Sequence, residues 1–298
     1  MGETRQGNLF DQTLWHYDRS GHLLAETGQR SNEQWHYDAA SNPLSHADSP
    51  PIIDNRVTEL KGIRWEYDIH GRTTLKQTAD YRYHYRYNSE HQLIEVRSEP
   101  KLKHKDTTVT TYRYDGLGRR ISKSTAIVPD PFNPKQYSAP PKVTRFIWEG
   151  LRLLQEIPEY GLNKEKLYLY SDSGSYEPLA RLDDNYHLYW YTTSNGTPER
   201  LTDEAGEVRW QGVNNVWGKQ IYQPMVTGGR VEQNLRMQGQ YYDEESGLYY
   251  NPRIVKERSS DYPRVKKCQS FNIDWHYTSD FPYRLMKKHH RYTKNPYN

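Results

Sequence analysis

The sequence predicts an all-β fold, a large antiparallel sheet with little helix, on three observations. First, one phrase recurs between residues 15 and 251: an aromatic, any residue, Tyr, Asp, a few polar residues, then Gly or Asn and an aliphatic. Second, Tyr occurs 27 times against 5 Phe, in a chain with only 34% hydrophobic residues and a mean hydropathy of −1.10. Third, no window of useful length has helical periodicity. Repeats of this kind bury their apolar faces only against one another, which favours a scaffold.

Each copy of the phrase predicts a strand, a tight turn and a return strand. The aromatic and the Tyr are two residues apart, so their rings point to the same face of a strand. Aromatic cross-strand pairs then stabilise a sheet that lacks a thick aliphatic core. Unequal spacing suits hairpins with loops of different length. The clear copies occupy residues 15–18, 35–38, 65–68, 85–88 and 112–115.

The acid and the glycine of each copy predict turn chemistry. An Asp side chain bonds its own downstream backbone, and Gly tolerates a positive φ. We therefore expect a structural role for these positions, because every turn needs the same residues. The predicted turn residues are Asp18, Asp38, Asp68, Asp115, Asp243, Gly21, Gly71, Gly118 and Gly247.

The later part of the chain continues this pattern more loosely. A charged stretch at 98–106 predicts a hairpin tip, and five prolines within 128–142 predict a surface loop. A hairpin is predicted around Glu149 and Gly150, and the series closes on residues 238–251. We expect residues 1–252 to form one sheet assembly.

Residues 253–298 predict a separate basic, aromatic-rich tail. The whole chain carries a net charge of +3, yet the tail has eleven Lys or Arg against four acids. Basic groups beside aromatic rings are typical of nucleic-acid binding. A remnant of a displaced domain, or a reading-frame accident, is the alternative, because so short a tail is small for an enzyme. The predicted contacts are Lys266, Lys267, Lys287, Lys288 and Arg291.

Catalytic, metal and cofactor sites are not predicted. The acid clusters at 183–184, 203–204 and 243–245 fall at predicted turns, where solvated acids are usual. His276 with the adjacent His289 and His290 fits no zinc signature. No membrane span or signal peptide is predicted, and the single cysteine excludes an intrachain disulfide framework.

The repeated phrase, residues 148–156 and residues 239–251 resemble the Rhs/YD-repeat family. That resemblance implies bacterial polymorphic toxins whose repeats wind a β-sheet into a hollow shell, or cocoon, around a variable C-terminal toxin. Delivery by type VI secretion, for interbacterial competition, or within an insecticidal toxin complex is implied too. The family's Asp-Pro-x-Gly-Leu motif, which supports self-cleavage, is missing after residue 251, and Asp130-Pro131 has another context. We therefore expect no self-cleavage.

Three functions are compatible with these observations. The leading hypothesis is a non-catalytic, encapsulating shell fragment of an Rhs-type secreted toxin. Two alternatives are a small nucleic-acid-targeting toxin in the tail, carried by the shell, and a carbohydrate- or protein-binding module that uses the Tyr-rich sheet face. The resemblance implies as partners the rest of a shell, and an immunity protein for the tail. Exposed sheet edges predict self-association. We also expect the protein to be made in the bacterial cytoplasm and exported without a classical signal peptide.

Overall fold

The computed structural model describes residues 2–5, 8–12, 14–28, 32–102, 105–128, 139–159, 165–172, 174–183, 187–194, 196–214, 220–222, 231–236 and 239–251. The chain divides into two compact units, and the described residues fall into the first up to Trp65 and into the second from Glu66. The predicted tail, residues 253–298, lies outside the described residues, so the predicted division at residue 252 stays a prediction.

The first unit consists of short antiparallel ladders. A single 3₁₀ turn, Ile53–Asn55, interrupts them. The strands are β1 (Gly2–Arg5), β2 (Asn8–Gln12), β3 (Leu14–Tyr17), β4 (Leu23–Thr27), β5 (Asn32–Gln34), β6 (His36–Tyr37), β7 (Pro43–Leu44), β8 (Glu59–Leu60) and β9 (Ile63–Tyr67), whose last two residues belong to the second unit.

The second unit is built on one long antiparallel sheet. From β10 to β21 the strands lie side by side in chain order, and two small hairpins follow. The strands are β10 (Thr73–Gln77), β11 (Tyr81–Tyr87), β12 (Leu93–Pro100), β13 (Thr108–Tyr114), β14 (Arg120–Ile127), β15 (Lys142–Glu149), β16 (Arg152–Pro158), β17 (Lys166–Tyr170), β18 (Pro178–Asp183), β19 (Leu188–Ser194), β20 (Thr197–Thr202), β21 (Val208–Gln211), β22 (Val213–Asn214), β23 (Gln220–Tyr222), β24 (Tyr241–Asp243) and β25 (Leu248–Tyr250).

The repeated phrase forms these hairpins for the reason the sequence predicts. The Tyr of the phrase is the last residue of β11 and β13, and the return strands β12 and β14 begin beyond the turn. A register shift lies just before that Tyr in both hairpins. This arrangement is typical of a type I turn followed by a left-handed residue and a bulge. The predicted all-β fold with little helix is confirmed.

One face of the sheet carries the core, and we call it the covered face. Alternation along the strands brings buried rings to it, among them Tyr85, Tyr112, Phe146 and Tyr168. The residues packed over these rings come from 231–236 and 239–251, which we call the closing segment. The hydrophobic effect therefore holds the end of the described chain against the strands that precede it.

Two of the predicted features are loops, the hairpin tip and the proline-rich loop. The tip predicted over 98–106 begins later, because β12 continues to Pro100 through ladder pairs of Ser98 with Tyr83 and of Pro100 with Tyr81. Most of the proline-rich loop, residues 129–138, lies outside the described residues. Across the ranges that are described, no helix has the length and apolar character needed to cross a membrane.

Candidate functional site

Most of the described repeat turns are closed by the side chain of their first residue, an Asp or an Asn. At Asp115, Oδ1 accepts hydrogen bonds from the backbone N–H groups of Leu117 and Arg119, both at 2.9 Å. The N–H of Gly118 donates to the Asp115 carbonyl at 3.0 Å. The bond from the backbone N–H four residues on recurs at other turns: Asp18, Asp38, Asp68, Asn88, Asp183 and Asp203.

The fourth residue of the turn needs a left-handed backbone. Gly118 has φ +77° there, and Ser41 and His91 take the same conformation in turns that lack glycine. Asn and Gly reach this region at least cost, while Ser and His are held in it by the surrounding bonds. The other predicted glycines also have positive φ: Gly21 (+88°), Gly71 (+77°) and Gly247 (+65°).

The side chain that follows the left-handed residue links neighbouring turns. Arg119 donates through Nε to Asp115 at 2.7 Å and through Nη1 to the carbonyl of Gly150 in the next turn at 3.0 Å. Arg72 repeats this arrangement two hairpins earlier, with Nη1 3.3 Å from the Asn88 carbonyl oxygen. Burial opposes ionisation of Asp115, but the bonds from Arg119 prevail and hold its pKa below the ordinary value.

At four repeats the aromatic at the Tyr position of the phrase links its hairpin to the preceding one through a hydroxyl or indole N–H group. Phe would fill the same space without this donor, which gives a physical reason for the excess of Tyr over Phe. Each ring donates to the carbonyl of a residue just beyond the previous turn. The pairs are Tyr37 with Leu23 (3.0 Å), Tyr114 with Leu93 (2.7 Å), Tyr170 with Leu153 (2.7 Å) and, through the indole Nε1, Trp148 with Arg120 (2.7 Å).

We expect Asp115→Ala to lower the free energy of unfolding by about 1 kcal/mol, because the turn loses its side-chain acceptor. Urea unfolding followed by circular dichroism measures this. Glu90→Ala is the matched control, since Glu90 is an exposed acid at a corresponding turn. Equal stability of both variants and the wild type would show that the carboxylate of Asp115 does not hold the turn.

Asp243 differs from the other predicted turn residues. Its backbone carbonyl closes the turn by accepting from the N–H groups of Ser246 and Gly247. Its carboxylate, however, is buried and accepts from Tyr112 Oη at 2.5 Å, Arg120 Nη1 at 3.1 Å and Lys123 Nζ at 3.1 Å. One further bond to this carboxylate is local: Ser246 Oγ donates to it at 3.0 Å, within the turn. The other three donors lie more than a hundred residues earlier, so Asp243 also joins the closing segment to β13 and β14.

Arg120 is the centre of this buried charge cluster. Its guanidinium lies 3.9 Å from the ring centroid of Tyr112 and 4.3 Å from that of Tyr250, so it is stacked between two aromatic faces. The side chains of Arg120 and Asp243 are each 1% exposed. Burial opposes ionisation of Asp243, yet Lys123 and Arg120 hold its pKa well below the ordinary value.

A second buried carboxylate, Glu156 on β16, anchors the other end of the closing segment. It accepts from Tyr168 Oη on β17 and, at 3.0 Å, from Tyr241 Oη on β24. Lys166 lies 3.5 Å from Glu156 and 3.0 Å from Glu232 of the closing segment. Burial and the charge of Glu156 raise the pKa of both tyrosines well above the ordinary value, so they stay neutral donors.

Backbone carbonyls of the closing segment are held by side chains of earlier strands. Tyr85 Oη donates to the Ser246 carbonyl at 3.0 Å, and Ser98 Oγ donates to the Glu245 carbonyl. The closing segment thus makes polar contacts with strands from β10 to β19, in addition to its apolar packing. Arrangements of this kind fix a chain in place, because the buried carboxylates of Asp243 and Glu156 each accept from several donors of the protein.

Glu245 predicts a pH dependence. Burial raises its pKa to about 7, against the opposing charge of Lys123 and with the help of Asp243. The folded protein therefore keeps a proton that the unfolded chain releases near its ordinary pKa of 4.5. We expect the free energy of unfolding to fall as pH rises through the interval between these two values.

Urea midpoints at about pH 5 and about pH 8 test this expectation. Glu245→Gln should remove part of the fall, whereas Glu244→Gln, at the exposed neighbouring position, should leave it unchanged. A wild-type protein that gains stability over this interval relative to Glu245→Gln would contradict the assignment.

Metal and nucleic-acid sites remain without structural support. In the ranges that the structure describes, no group of three His, Cys, Asp or Glu side chains is arranged to hold a metal ion. The predicted nucleic-acid contacts lie outside these ranges: Lys266, Lys267, Lys287, Lys288 and Arg291. Sequence reasoning missed Arg120, Lys123 and Glu156, although charged residues at inward positions of alternating strands were a readable signal.

Comparison with known proteins places these features in a family. A family model described as "RHS protein" matches residues 188–223. The double-stranded DNA deaminase toxin A of Burkholderia cenocepacia is 32% identical over 268 residues, which cover 82% of this chain and 18% of the relative. Toxin protein Tse5 of Pseudomonas aeruginosa is 28% identical over 289 residues, covering 80% of this chain and 20% of the relative. The chain thus spans about a fifth of the length of these two relatives.

A solved structure shows the same fold. A crystal structure described as TcdB2-TccC3-TEV superposes with a TM-score of 0.50 at 14% identity, over 80% of this chain and 11% of that one. The all-β series of hairpins in this chain is thus the fold of that structure, and the family match and the two relatives indicate the same family. The chain is an Rhs family protein.

Proposed function

We propose that residues 2–251 act as a non-catalytic wall segment of an Rhs-type toxin, a carrier that encloses rather than reacts. The observation that supports this best is the closing segment. Asp243 of the closing segment is 0% exposed, and its carboxylate accepts from Arg120 on β14. Glu156 on β16 is 2% exposed, and its carboxylate accepts from Tyr241 of the closing segment. Buried carboxylates saturated by donors in this way stabilise a wall, while a general acid or base needs access to a substrate.

The covered face is a poor candidate for carbohydrate binding. Tyr83, Tyr85 and Tyr112 are 4–7% exposed, because the closing segment packs on them. Rings in that position cannot stack on a ligand. The tyrosines therefore support the wall proposal and not a glycan-binding one.

The opposite face of the sheet supports contacts with another surface. Leu167, Leu182 and Leu188 are directly paired on adjacent strands, on the side away from Tyr168. Leu169 and Trp190 lie on the same face and are 40% and 41% exposed. An apolar row of this kind fits association with a second copy of the chain, or with the rest of a shell.

A small toxin in the tail is a second candidate, favoured by two observations. Residues 253–298 carry an excess of basic groups, and one relative, from Bacillus subtilis, is named tRNA nuclease WapA (28% identical, 66% of this chain). In this proposal nucleic acid is the tail's target and an immunity protein its natural inhibitor. Synthesis in the bacterial cytoplasm and export without a classical signal, by type VI secretion, belong to the same proposal.

Two experiments separate these functions. The purified full chain should leave DNA and RNA intact and unmodified if it is only a carrier. Loss of nucleic acid, abolished by exchanging Lys266, Lys267 and Arg291 for Gln, would favour the tail toxin.

The carrier role is tested by a chimera. The matching segment of this chain replaces the aligned segment of the Burkholderia cenocepacia relative. We expect the chimera to keep its C-terminal region resistant to added protease, and the same chimera with Asp243→Ala to lose that protection. A wild-type chimera whose C-terminal region is digested at once would contradict the wall proposal.

A further inference from the structure

Three buried side chains near the end of the sheet have N–H groups without an acceptor. Arg181 on β18 and Gln233 and Arg236 of the closing segment are 3%, 4% and 5% exposed. The atoms Arg181 Nε, Gln233 Nε2 and Arg236 Nε have no hydrogen-bond partner in the described structure. Buried donors in proteins nearly always have a hydrogen-bond acceptor, so we expect an acceptor for each of these three atoms.

The three side chains belong to one cluster. Arg236 Nη1 donates to the Gln233 carbonyl at 2.9 Å, and Arg181 Nη1 donates to the carbonyl of the preceding residue, Glu232, at 2.6 Å. Tyr191 Oη donates to Gln233 Oε1 at 3.2 Å. The amide oxygen of Gln233 is therefore engaged, and what remains unbound in the cluster are donors.

The charge of Arg236 is also unbalanced. Its guanidinium donates to the carbonyls of Gln233 and Leu235 and to the amide oxygen of Gln220, all of which are uncharged. Burial lowers its pKa, and the groups that oppose this effect most are tyrosines, Tyr249 first. Elsewhere on the covered face, in the described part of the chain, Arg120 has Asp243 and Lys166 has Glu232. A buried cation with no carboxylate among these partners is costly unless an anion joins it.

We propose that Arg181, Gln233 and Arg236 form a binding site for one oxyanion, either a carboxylate or a tetrahedral inorganic ion. One such group accepts from all three free donors and neutralises a guanidinium charge. The planar guanidinium suits both ligand shapes. This inference concerns a ligand of the wall and holds whether or not the chain encloses a toxin.

Isothermal titration of the full chain tests the site. Phosphate and sulfate probe the inorganic source and acetate the carboxylate source, each against chloride at matched ionic strength. We expect binding of one ion per chain by at least one probe, weakened about tenfold or more in Arg236→Gln and in Arg181→Gln. Arg86→Gln is the control, because Arg86 is 68% exposed and lies on the far strand β11.

A charge-supplying variant keeps the test independent of folding defects. Gln233→Glu brings its own carboxylate to the cluster, so it should melt at a higher temperature than the wild type in chloride and no longer bind the anion. No binding beyond chloride, equal affinity in Arg236→Gln, or a sulfate-soaked structure with only water at the three donors would each overturn the proposal.

Discussion

Replacing Asp243 by Ala is expected to lower the free energy of unfolding by about 3–5 kcal/mol, the usual cost of leaving a buried cation unpaired. Arg120 loses its carboxylate partner and Tyr112 loses the acceptor of its hydroxyl, whereas Lys123 keeps Glu245. Because Asp243 belongs to the closing segment, the same change releases residues 239–251 from the covered face.

The contrast with Asp115→Ala makes this prediction specific. Both residues follow a Tyr and begin a turn, yet only Asp243 has a buried carboxylate. Urea unfolding of the two variants side by side should give a loss about three times larger for Asp243. Equal losses would mean that Asp243 acts as a turn residue only and that the buried cluster contributes little.

Glu156→Leu is expected to cost about 2–4 kcal/mol, the second largest effect. Leu fills much of the space but leaves two buried hydroxyl groups, those of Tyr168 and Tyr241, without their acceptor. Each unsatisfied buried donor costs about 1–3 kcal/mol. Lys166 keeps Glu232 as a partner, so its contribution to the loss is smaller.

A compensating variant checks the physical cause. Adding Tyr168→Phe and Tyr241→Phe to Glu156→Leu removes the orphaned donors, and most of the lost stability should return. If the triple variant is less stable than Glu156→Leu alone, the loss comes from packing and not from the unsatisfied hydroxyl groups.

The fold was predictable because its information is local. An aromatic, a Tyr, an Asp and a Gly within about seven residues specify strand, turn and return strand, and the described turns at Asp68 and Asp115 follow that rule. The link between successive turns, made by Arg72 and Arg119, was not predicted. It depends on the distance between neighbouring hairpins, which the phrase itself does not contain.

The site was not predictable in the same way. The residues Tyr-Asp at 242–243 repeat the turn phrase, so local reasoning assigned Asp243 a turn role. Its carboxylate also contacts Arg120 and Lys123, which lie 123 and 120 residues earlier in the chain. That contact forms only because the closing segment folds back over the sheet. A single sequence does not indicate which strands the closing segment then contacts.

Hydrogen exchange of the closing segment is the most direct test of its position. The full chain is exposed to deuterated buffer, and peptides from residues 239–251 are followed by mass spectrometry. We expect the amides of β24 and β25 to exchange as slowly as those of β13 and β14, and to exchange quickly in Asp243→Ala. Exchange in the wild type as rapid as that of the exposed turns would contradict a closing segment fixed to the covered face by buried charges.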